Sequence, residues 1–176
     1  MIREIVNGFL SAISGKPPEK NNRLTDLENG GLHQAMYNIA ARDCRMAVVR
    51  GGREAYTSQE RGIGALLDLA LHQPEVLRGG ILADRIVGKA AAMLCVLGGV
   101  KYVSGEIMTQ GAVDYLEAHG VPYRYENGVT RLLGPDGTGD CPLELAVSAL
   151  EDPSDAAAAL EALLSGQNSN SKEDTP

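Results

Sequence analysis

The sequence predicts an α/β protein whose body is a three-layer α/β/α sandwich around a mixed sheet of about five strands. Short apolar runs alternate with helical segments of about ten residues, a pattern typical of βαβ units and of sheets with parallel members. Gly51-Gly52 between two short runs predicts a hairpin, which adds an antiparallel pair. A chain of 176 residues that is 44% hydrophobic suits one domain with a sizeable core.

The two ends of the chain are expected to be appendages of this body. Apolar residues at helical spacing predict an amphipathic helix over residues 2–13, and the polar stretch that follows predicts a linker. The polar composition of the C-terminus predicts disorder. The expected divisions are an N-terminal helix and linker over residues 1–31, an α/β domain over 32–150, a C-terminal helix over 151–166 and a disordered tail over 167–176.

Within the domain, each predicted element follows a change in hydrophobic spacing. Short apolar runs bounded by turn residues predict strands, and apolar residues three or four apart predict helices. Thr109 is suited to cap the helix that starts at Gln110, and Gly120 is suited to end it. The predicted strands are residues 45–50, 53–57, 80–83, 100–104, 122–125 and an edge strand 129–133, and the predicted helices are residues 32–43, 63–71, 88–97, 110–119, 142–150 and 155–164.

Composition and charge exclude several classes of partner. The net charge is -7, with one Phe, six Tyr and no Trp, whereas a nucleic-acid-binding domain usually presents a basic face and stacking aromatics. No apolar run is long enough to span a membrane, and the first residues lack the pattern of a signal peptide. Cys44, Cys95 and Cys141 are odd in number and widely spaced, which favours reduced thiols and a cytoplasmic protein.

The most informative segment is the predicted turn from Asp84 to Lys89. The pattern places Lys89 at the start of a mostly apolar helix, where the helix dipole disfavours a cation, so this lysine needs a partner. One interpretation is a site where helix amides and the ammonium bind a phosphate or carboxylate, with Asp84 orienting the lysine or acting as a base. The other is a structural Asp84–Lys89 ion pair that stabilises the turn.

The next predicted strand supplies candidates at the same edge of the sheet. Right-handed crossovers place the turns after Ala83 and Ser104 together, and ligands in such folds bind outside the carboxyl ends of strands. Glu106 could therefore act as a general base or bind substrate, and Ser104 and Thr109 could supply hydroxyl groups. The alternative is that these residues belong to a solvated loop.

A glycine-rich segment near the C-terminus supplies the last candidates. Pro142 suits the first position of a helix, so Cys141 would lie at the helix start, where the dipole favours a nucleophilic thiolate. Glu144 could complete a capping arrangement or take part in catalysis. The alternative is that Cys141 is a small residue packed at a helix cap. No histidine neighbours it in sequence, so a Cys–His pair could form only in space.

Three blocks follow one another between Met46 and Glu144: Gly-Ile-Gly-Ala-Leu-Leu at residues 62–67, Leu-Ala-Asp-Arg-Ile-Val-Gly-Lys-Ala-Ala-Ala at 82–92, and Gly-Thr-Gly-Asp-Cys-Pro-Leu-Glu at 137–144. In this order the blocks resemble a family of uncharacterised bacterial and archaeal proteins with a cytidine-deaminase-like fold. The resemblance implies a deaminase-type core and no established activity. The family carries an Asn-Arg pair before its last block, where this chain has Gly134-Pro135, so those side chains have no counterpart here.

The zinc chemistry of deaminases is not expected in this chain. A zinc deaminase needs His-x-Glu at one helix start and Pro-Cys-x-x-Cys at the next. None of the three histidines is followed two residues later by Glu, and the three cysteines are far apart. Neither a metal nor another cofactor is therefore predicted.

The leading hypothesis is a metal-free deaminase-like domain that binds a small anionic, nucleotide-like metabolite between the 84–89 and 104–109 turns. Lys89 would hold the anion, and Asp84 would orient Lys89 or act as a base. Cys141, as a nucleophile, and Glu144 would contribute from the helix that starts at Pro142. One alternative is a catalytically silent assembly module that contacts other chains, identical copies included, through the helices at 2–13 and 155–164. The other alternative is a thiol enzyme centred on Cys141.

Overall fold

The computed structural model describes residues 24–170, with side chains up to residue 166. Helices and strands alternate along most of this length. The helices are α1 (Asp26–Ala40), α2 (Gly64–His72), α3 (Pro74–Leu77), α4 (Lys89–Gly98), α5 (Gln110–Ala118), α6 (Pro142–Val147) and α7 (Pro153–Asn170). The strands are β1 (Met46–Arg50), β2 (Arg53–Ser58), β3 (Ile81–Val87), β4 (Tyr102–Thr109) and β5 (Tyr123–Val129).

The strands form one open, mixed sheet of five strands in the order β2-β1-β3-β4-β5. β1 pairs antiparallel with both β2 and β3, whereas β3, β4 and β5 run parallel. The predicted mixed sheet and the hairpin at Gly51-Gly52 are confirmed. Because β1 runs against β3, the amino end of β1 meets the carboxyl end of β3, and Met46 pairs with Asp84.

Helices lie on both faces of this sheet. On one face α1 is the helix that the described residues supply, and its Leu32 and Ile39 join Val49, Ile81 and Tyr102 in a small apolar cluster. The opposite face carries the larger core, to which α2, α4, α5 and α7 contribute. Successive residues of a strand point to opposite faces, so each strand divides its side chains between these two clusters.

Helix α1 begins earlier than the sequence pattern predicts. Thr25 and Glu28 form a capping box, in which the Thr25 hydroxyl accepts from Glu28 N and the Glu28 carboxylate accepts from Thr25 N. Gly31 packs closely on the hairpin turn, since an added Cβ would lie 2.5 Å from Gly52 O. The predicted linker over 14–31 is therefore wrong for residues 26–31. The predicted helix over 2–13 lies outside the described residues.

The strands β3 and β4 extend beyond the apolar residues from which the sequence predicts them. β3 continues through Asp84 to Val87, and β4 continues through Glu106 to Thr109, so the predicted turns over 84–89 and 104–109 are wrong. The polar part of β4 is paired with β3 and β5, whereas β3 beyond Asp84 stays extended mainly through its pairing with β4. The predicted edge strand over 129–133 is also wrong. Only an isolated bridge, between Leu133 and Asp140, forms in the segment after β5.

The ends of the later helices match the local signals with two exceptions. Thr109 caps α5 by accepting from Ala112 N at 3.1 Å, and Gly120 has the positive φ of 65° that ends the helix, as predicted. α6 ends at Val147, three residues before the predicted end. α7 extends to Asn170, so residues 167–170, predicted to be disordered, are helical.

Candidate functional site

A cavity of about 370 Å³ opens at the edge of the sheet where β3 ends and β1 begins. The starts of α2 and α4 and the segment 132–144 complete its wall. Small residues of α2 and α4, Ala65, Ala90 and Ala91, leave the space that larger side chains would fill. The polar lining residues are Arg45, Ser58, Glu60, Arg61, Asp84, Arg85, Cys141 and Glu144, and the larger apolar ones are Met46, Ile63, Leu66, Ile86, Leu132, Leu133 and Leu143.

Asp84 contributes a half-buried carboxyl group to the cavity wall. Its Oδ1 accepts a hydrogen bond from Ile86 N at 3.2 Å. Burial raises the pKa of Asp84 to about 7, although the Ile86 hydrogen bond and the positive charge of Arg45 act in the opposite direction. The carboxyl group is therefore partly protonated at neutral pH and is able both to donate and to accept a proton.

The amides at the start of α4 bind a carboxylate of the chain itself, where the sequence predicts a bound phosphate or carboxylate ligand. Glu144 spans the first turn: Lys89 N donates to Oε2 and Ala90 N donates to Oε1, both at 2.9 Å. A carboxylate here satisfies two unpaired helix amides and complements the helix dipole. Gly88 makes this approach possible, because an added Cβ would collide with the Glu144 carboxylate.

Lys89 points away from the cavity. Its Nζ donates to Ser148 O at 3.0 Å and lies 3.4 Å from Glu151 Oε1, and the residue does not line the cavity. The predicted Asp84–Lys89 pair is therefore wrong. The ammonium is favoured where it lies, because Ser148 caps the carbonyl end of α6, where the helix dipole favours a cation.

The β4 candidates lie outside the cavity. Ser104 is fully buried on the α1 face, where its hydroxyl contacts Met36 Sδ at 3.4 Å. Glu106 Oε2 lies 3.5 Å from Arg85 Nε; Arg85 lines the cavity and Glu106 does not. Thr109 is occupied as the cap of α5. The prediction that these side chains line one pocket with Asp84 is wrong, since neither the strand alternation nor the length of β4 allows it.

Cys141 lines the cavity, as does Glu144. The thiol is free and half-buried, and its residue occupies the N-cap position of the six-residue helix α6. Its backbone N–H donates to Leu132 O at 3.0 Å, which joins the two ends of the 132–141 loop beside the isolated bridge. Asp84, Cys141 and Glu144 are thus the predicted site residues that the fold brings to one cavity.

The sequence pattern missed the two arginines that accompany Asp84. Arg45 precedes β1 and Arg61 precedes α2, and both line the cavity. Neither has a hydrogen-bonded side chain or an ion pair at salt-bridge distance among the described residues. Only the antiparallel β1–β3 pairing brings Arg45 to the carboxyl end of β3, and no local motif signals that pairing.

Over residues 24–170, no group of three or more His, Cys, Asp or Glu side chains is arranged to hold a metal ion. The residues present therefore do not fit the zinc centre of a deaminase, which needs one imidazole and two thiolates together. Within the same residues, no helix combines the length and the apolar character needed to cross a membrane.

Comparison with known proteins places this chain in a family. The search of curated proteins finds no match. Among solved structures, the crystal structure of a DUF1893 family protein (TM1506) from Thermotoga maritima, at 2.70 Å resolution, is similar with a TM-score of 0.71 and 22% sequence identity, over 85% of this chain and 99% of that chain. The family model TM1506, described as a domain of unknown function (DUF1893), matches residues 35–164. The chain therefore belongs to the DUF1893 family of domains of unknown function.

Proposed function

We propose that this protein binds a small anionic metabolite in the cavity and that Asp84 exchanges a proton with the bound molecule. The observation that carries the proposal is the Asp84 carboxyl group, half-buried in the cavity wall beside Arg45, with its pKa raised to about 7. A titratable group with a strongly perturbed pKa inside a cleft is characteristic of functional sites.

The protonation behaviour of Asp84 suits acid–base work. A general acid or base is most effective when its pKa lies near the working pH, because both protonation states are then populated. An ordinary exposed aspartate, with a pKa near 3.9, would be almost fully ionised at neutral pH. The raised pKa therefore favours a site where Asp84 donates a proton to the ligand or receives one from it.

The charges around the cavity favour an anionic ligand. The Glu144 carboxylate already accepts two hydrogen bonds from the α4 amides, and Arg85 lies beside Glu106. Arg45 and Arg61 line the same cavity and form no ion pair among residues 24–170. Guanidinium groups bind carboxylates and phosphates with two parallel hydrogen bonds. The apolar wall is suited to the uncharged part of the ligand, which makes a nucleotide-like molecule a reasonable first class to test.

The deaminase-like interpretation of the fold is part of this proposal. Zinc deaminases carry His-x-Glu at a helix start, and α4 begins at the corresponding block of this sequence with Gly88-Lys89-Ala90 instead. In this interpretation, the Glu144 carboxylate binds the helix start that carries the zinc-ligating histidine in zinc deaminases. This relationship supports a pocket in the same region of the scaffold and does not assign deamination to the chain.

The direct experiment measures ligand-dependent thermal stability. Wild type is screened against nucleotides, sugar phosphates and small carboxylic acids at about 1 mM, since a ligand that binds the native state raises Tm. At least one compound is expected to raise Tm in the wild type and in Arg53→Ala, an exposed arginine on β2, but not in Arg45→Ala. No shift with any compound, or an equal shift in Arg45→Ala, would contradict the proposal.

A nucleophilic role for Cys141 is a second candidate, favoured by the presence of this thiol in the same cavity. Cys44 and Cys95 are buried and serve as internal references. If Cys141 is reactive, iodoacetamide should label it well before the other two thiols, and a ligand bound in the cavity should slow that labelling. Equally slow labelling of all three thiols excludes this role.

A further inference from the structure

Within residues 24–170, the outer edge of β5 has no partner strand. β5 lies at one end of the sheet, pairs with β4 alone, and keeps one constant register along its seven residues. Among residues 24–170, the backbone of 123–129 makes no hydrogen bond to any element other than β4. An edge strand of this kind presents a row of unpaired N–H and C=O groups to another strand.

The other edge of the sheet is less suited to pairing. β2 has a register shift against β1 between Val48 and Val49, which marks a bulge or irregularity. Bulges twist an edge strand away from neighbouring chains. β5 has neither a register shift nor a proline between Tyr123 and Val129. The two edges therefore differ, and β5 is the one that can extend the sheet.

The hydrogen-bond pattern shows which groups of β5 face outward. Val103 N donates to Pro122 O at 3.0 Å, so the carbonyl of Pro122 points toward β4. Because successive residues alternate, Arg124 and Glu126 also direct their backbone groups to β4, while Tyr123, Tyr125 and Asn127 direct theirs outward. An incoming strand would bond to these three residues.

The side chains of β5 are complementary in charge to a second copy of the same strand. In an antiparallel pair related by a twofold axis at Tyr125, Arg124 of each copy lies opposite Glu126 of the other, and Tyr123 lies opposite Asn127. Centring the pair on Arg124 or on Glu126 would instead bring like charges together, which is unfavourable. Among these three centres the charges favour Tyr125, which also gives two opposite-charge pairs and uses the outward-facing backbone groups.

Glu126 also lacks a cation within the described part of the chain. The flanking pairs Gly105–Tyr125 and Ile107–Asn127 place it level with Glu106 of β4, whose carboxylate is already close to Arg85. Neither Arg124 nor Glu126 forms an ion pair among residues 24–170. Arg124 of a second copy would supply the missing cation and separate two neighbouring negative charges.

We propose that β5 is the contact surface for a second copy of this chain, and that two copies pair antiparallel through β5 around Tyr125 to form one continuous sheet. The interface is isologous, so it contains the Arg124–Glu126 pair twice. This inference is independent of the cavity and of any ligand.

The test is a charge exchange on the full chain. Mass in solution is measured by light scattering at a chain concentration of about 100 μM. The mass of one chain is 18.6 kDa. Wild type is expected at twice that mass. Arg124→Glu and Glu126→Arg each place like charges opposite one another and should weaken the dimer Kd at least about tenfold. Mixing the two variants, or combining both changes in one chain, restores opposite charges and should restore the dimer.

Two controls separate the interface from folding. Circular dichroism should be unchanged in both charge variants, and Arg53→Glu on the β2 edge should keep the wild-type mass. Tyr125→Pro removes an outward N–H and should leave a monomer. The proposal is overturned if wild type is a monomer at this concentration, if either single variant keeps the dimer affinity, or if the mixed variants do not associate.

Discussion

The two faces of the central strands have opposite characters. On the α1 face, Tyr102, Ile39 and Leu32 fill the space between helix and sheet, and Ser104 is sealed beneath them. On the other face, β1 and β3 border a cavity, and Asp84 of β3 lies in its wall. Polar residues of the neighbouring strands β3 and β4 therefore have different surroundings. Ser104 is buried against Met36, whereas Asp84 borders open space.

The difference arises from the residues that the helices present. α1 brings a leucine and an isoleucine to the sheet, and both are buried. The starts of α2 and α4 bring Ala65, Ala90 and Ala91, which are too short to fill the volume above Asp84. A protein interior is normally closely packed, so the cavity beside Asp84 contrasts with the filled space on the α1 face.

The largest expected effect compares one leucine on each face. Leu32 and Leu66 are both 2% exposed, but Leu66 borders the cavity. Leu32→Ala should cost about 2–5 kcal/mol in the free energy of unfolding. Leu66→Ala should cost at least about 1 kcal/mol less, because its methyl groups already lack some packing partners on the cavity side. Denaturant unfolding measures both, and equal losses would contradict an open cavity.

The next effect concerns the charge of Asp84. Its pKa is higher in the folded state than in the unfolded chain, so the folded state binds the proton more tightly. The contribution of Asp84 to stability is therefore greatest below about pH 4, falls as the pH rises toward 7, and is constant above that. Asp84→Asn should remove this fall and raise stability at pH 8 by roughly 1–4 kcal/mol.

The free energy of unfolding of wild type and Asp84→Asn is measured by urea unfolding at several pH values between 4 and 8. Asp114→Asn, at an exposed aspartate on α5, is the matched control and should keep the wild-type pH profile. If wild type and Asp84→Asn have parallel profiles, the two faces do not differ in the way described.

A smaller effect is expected at the carboxylate that holds one wall of the cavity. Glu144→Ala leaves the Lys89 and Ala90 amides without an acceptor and should cost about 1–2 kcal/mol. The exposed Glu151→Ala should change stability by less than about 0.5 kcal/mol. Thermal unfolding of both variants tests this contrast. If Glu144→Ala loses no more stability than Glu151→Ala, the Glu144 cap does not stabilise the cavity wall.

The smallest effect is expected at Lys89. Because its ammonium lies outside the cavity near Ser148 and Glu151, Lys89→Ala should cost less than about 1 kcal/mol. The affinity for any anion found in the thermal screen should stay within about twofold of wild type. A loss of affinity comparable to that of Arg45→Ala would return Lys89 to the binding site and contradict the geometry.

The sequence predicted the sheet class, the hairpin and the cap at Thr109, because each has a local signal in periodicity or turn residues. It misplaced the ends of β3 and β4, since polar residues such as Asp84 and Glu106 are held extended by neighbouring strands that no local pattern reveals. The start of α1 was available in the Thr25–Glu28 capping box and was missed. Glu144 was identified as a capping residue, but its target, the start of α4, lies 55 residues away in sequence.

The most direct test of the account is a ¹³C NMR titration of the Asp84 side-chain carboxyl carbon in the full-length protein. An apparent pKa close to 7 would show that the cavity holds a carboxyl group able to exchange a proton under neutral conditions. A titration midpoint near 4, the value of an ordinary solvated aspartate, would contradict the central claim.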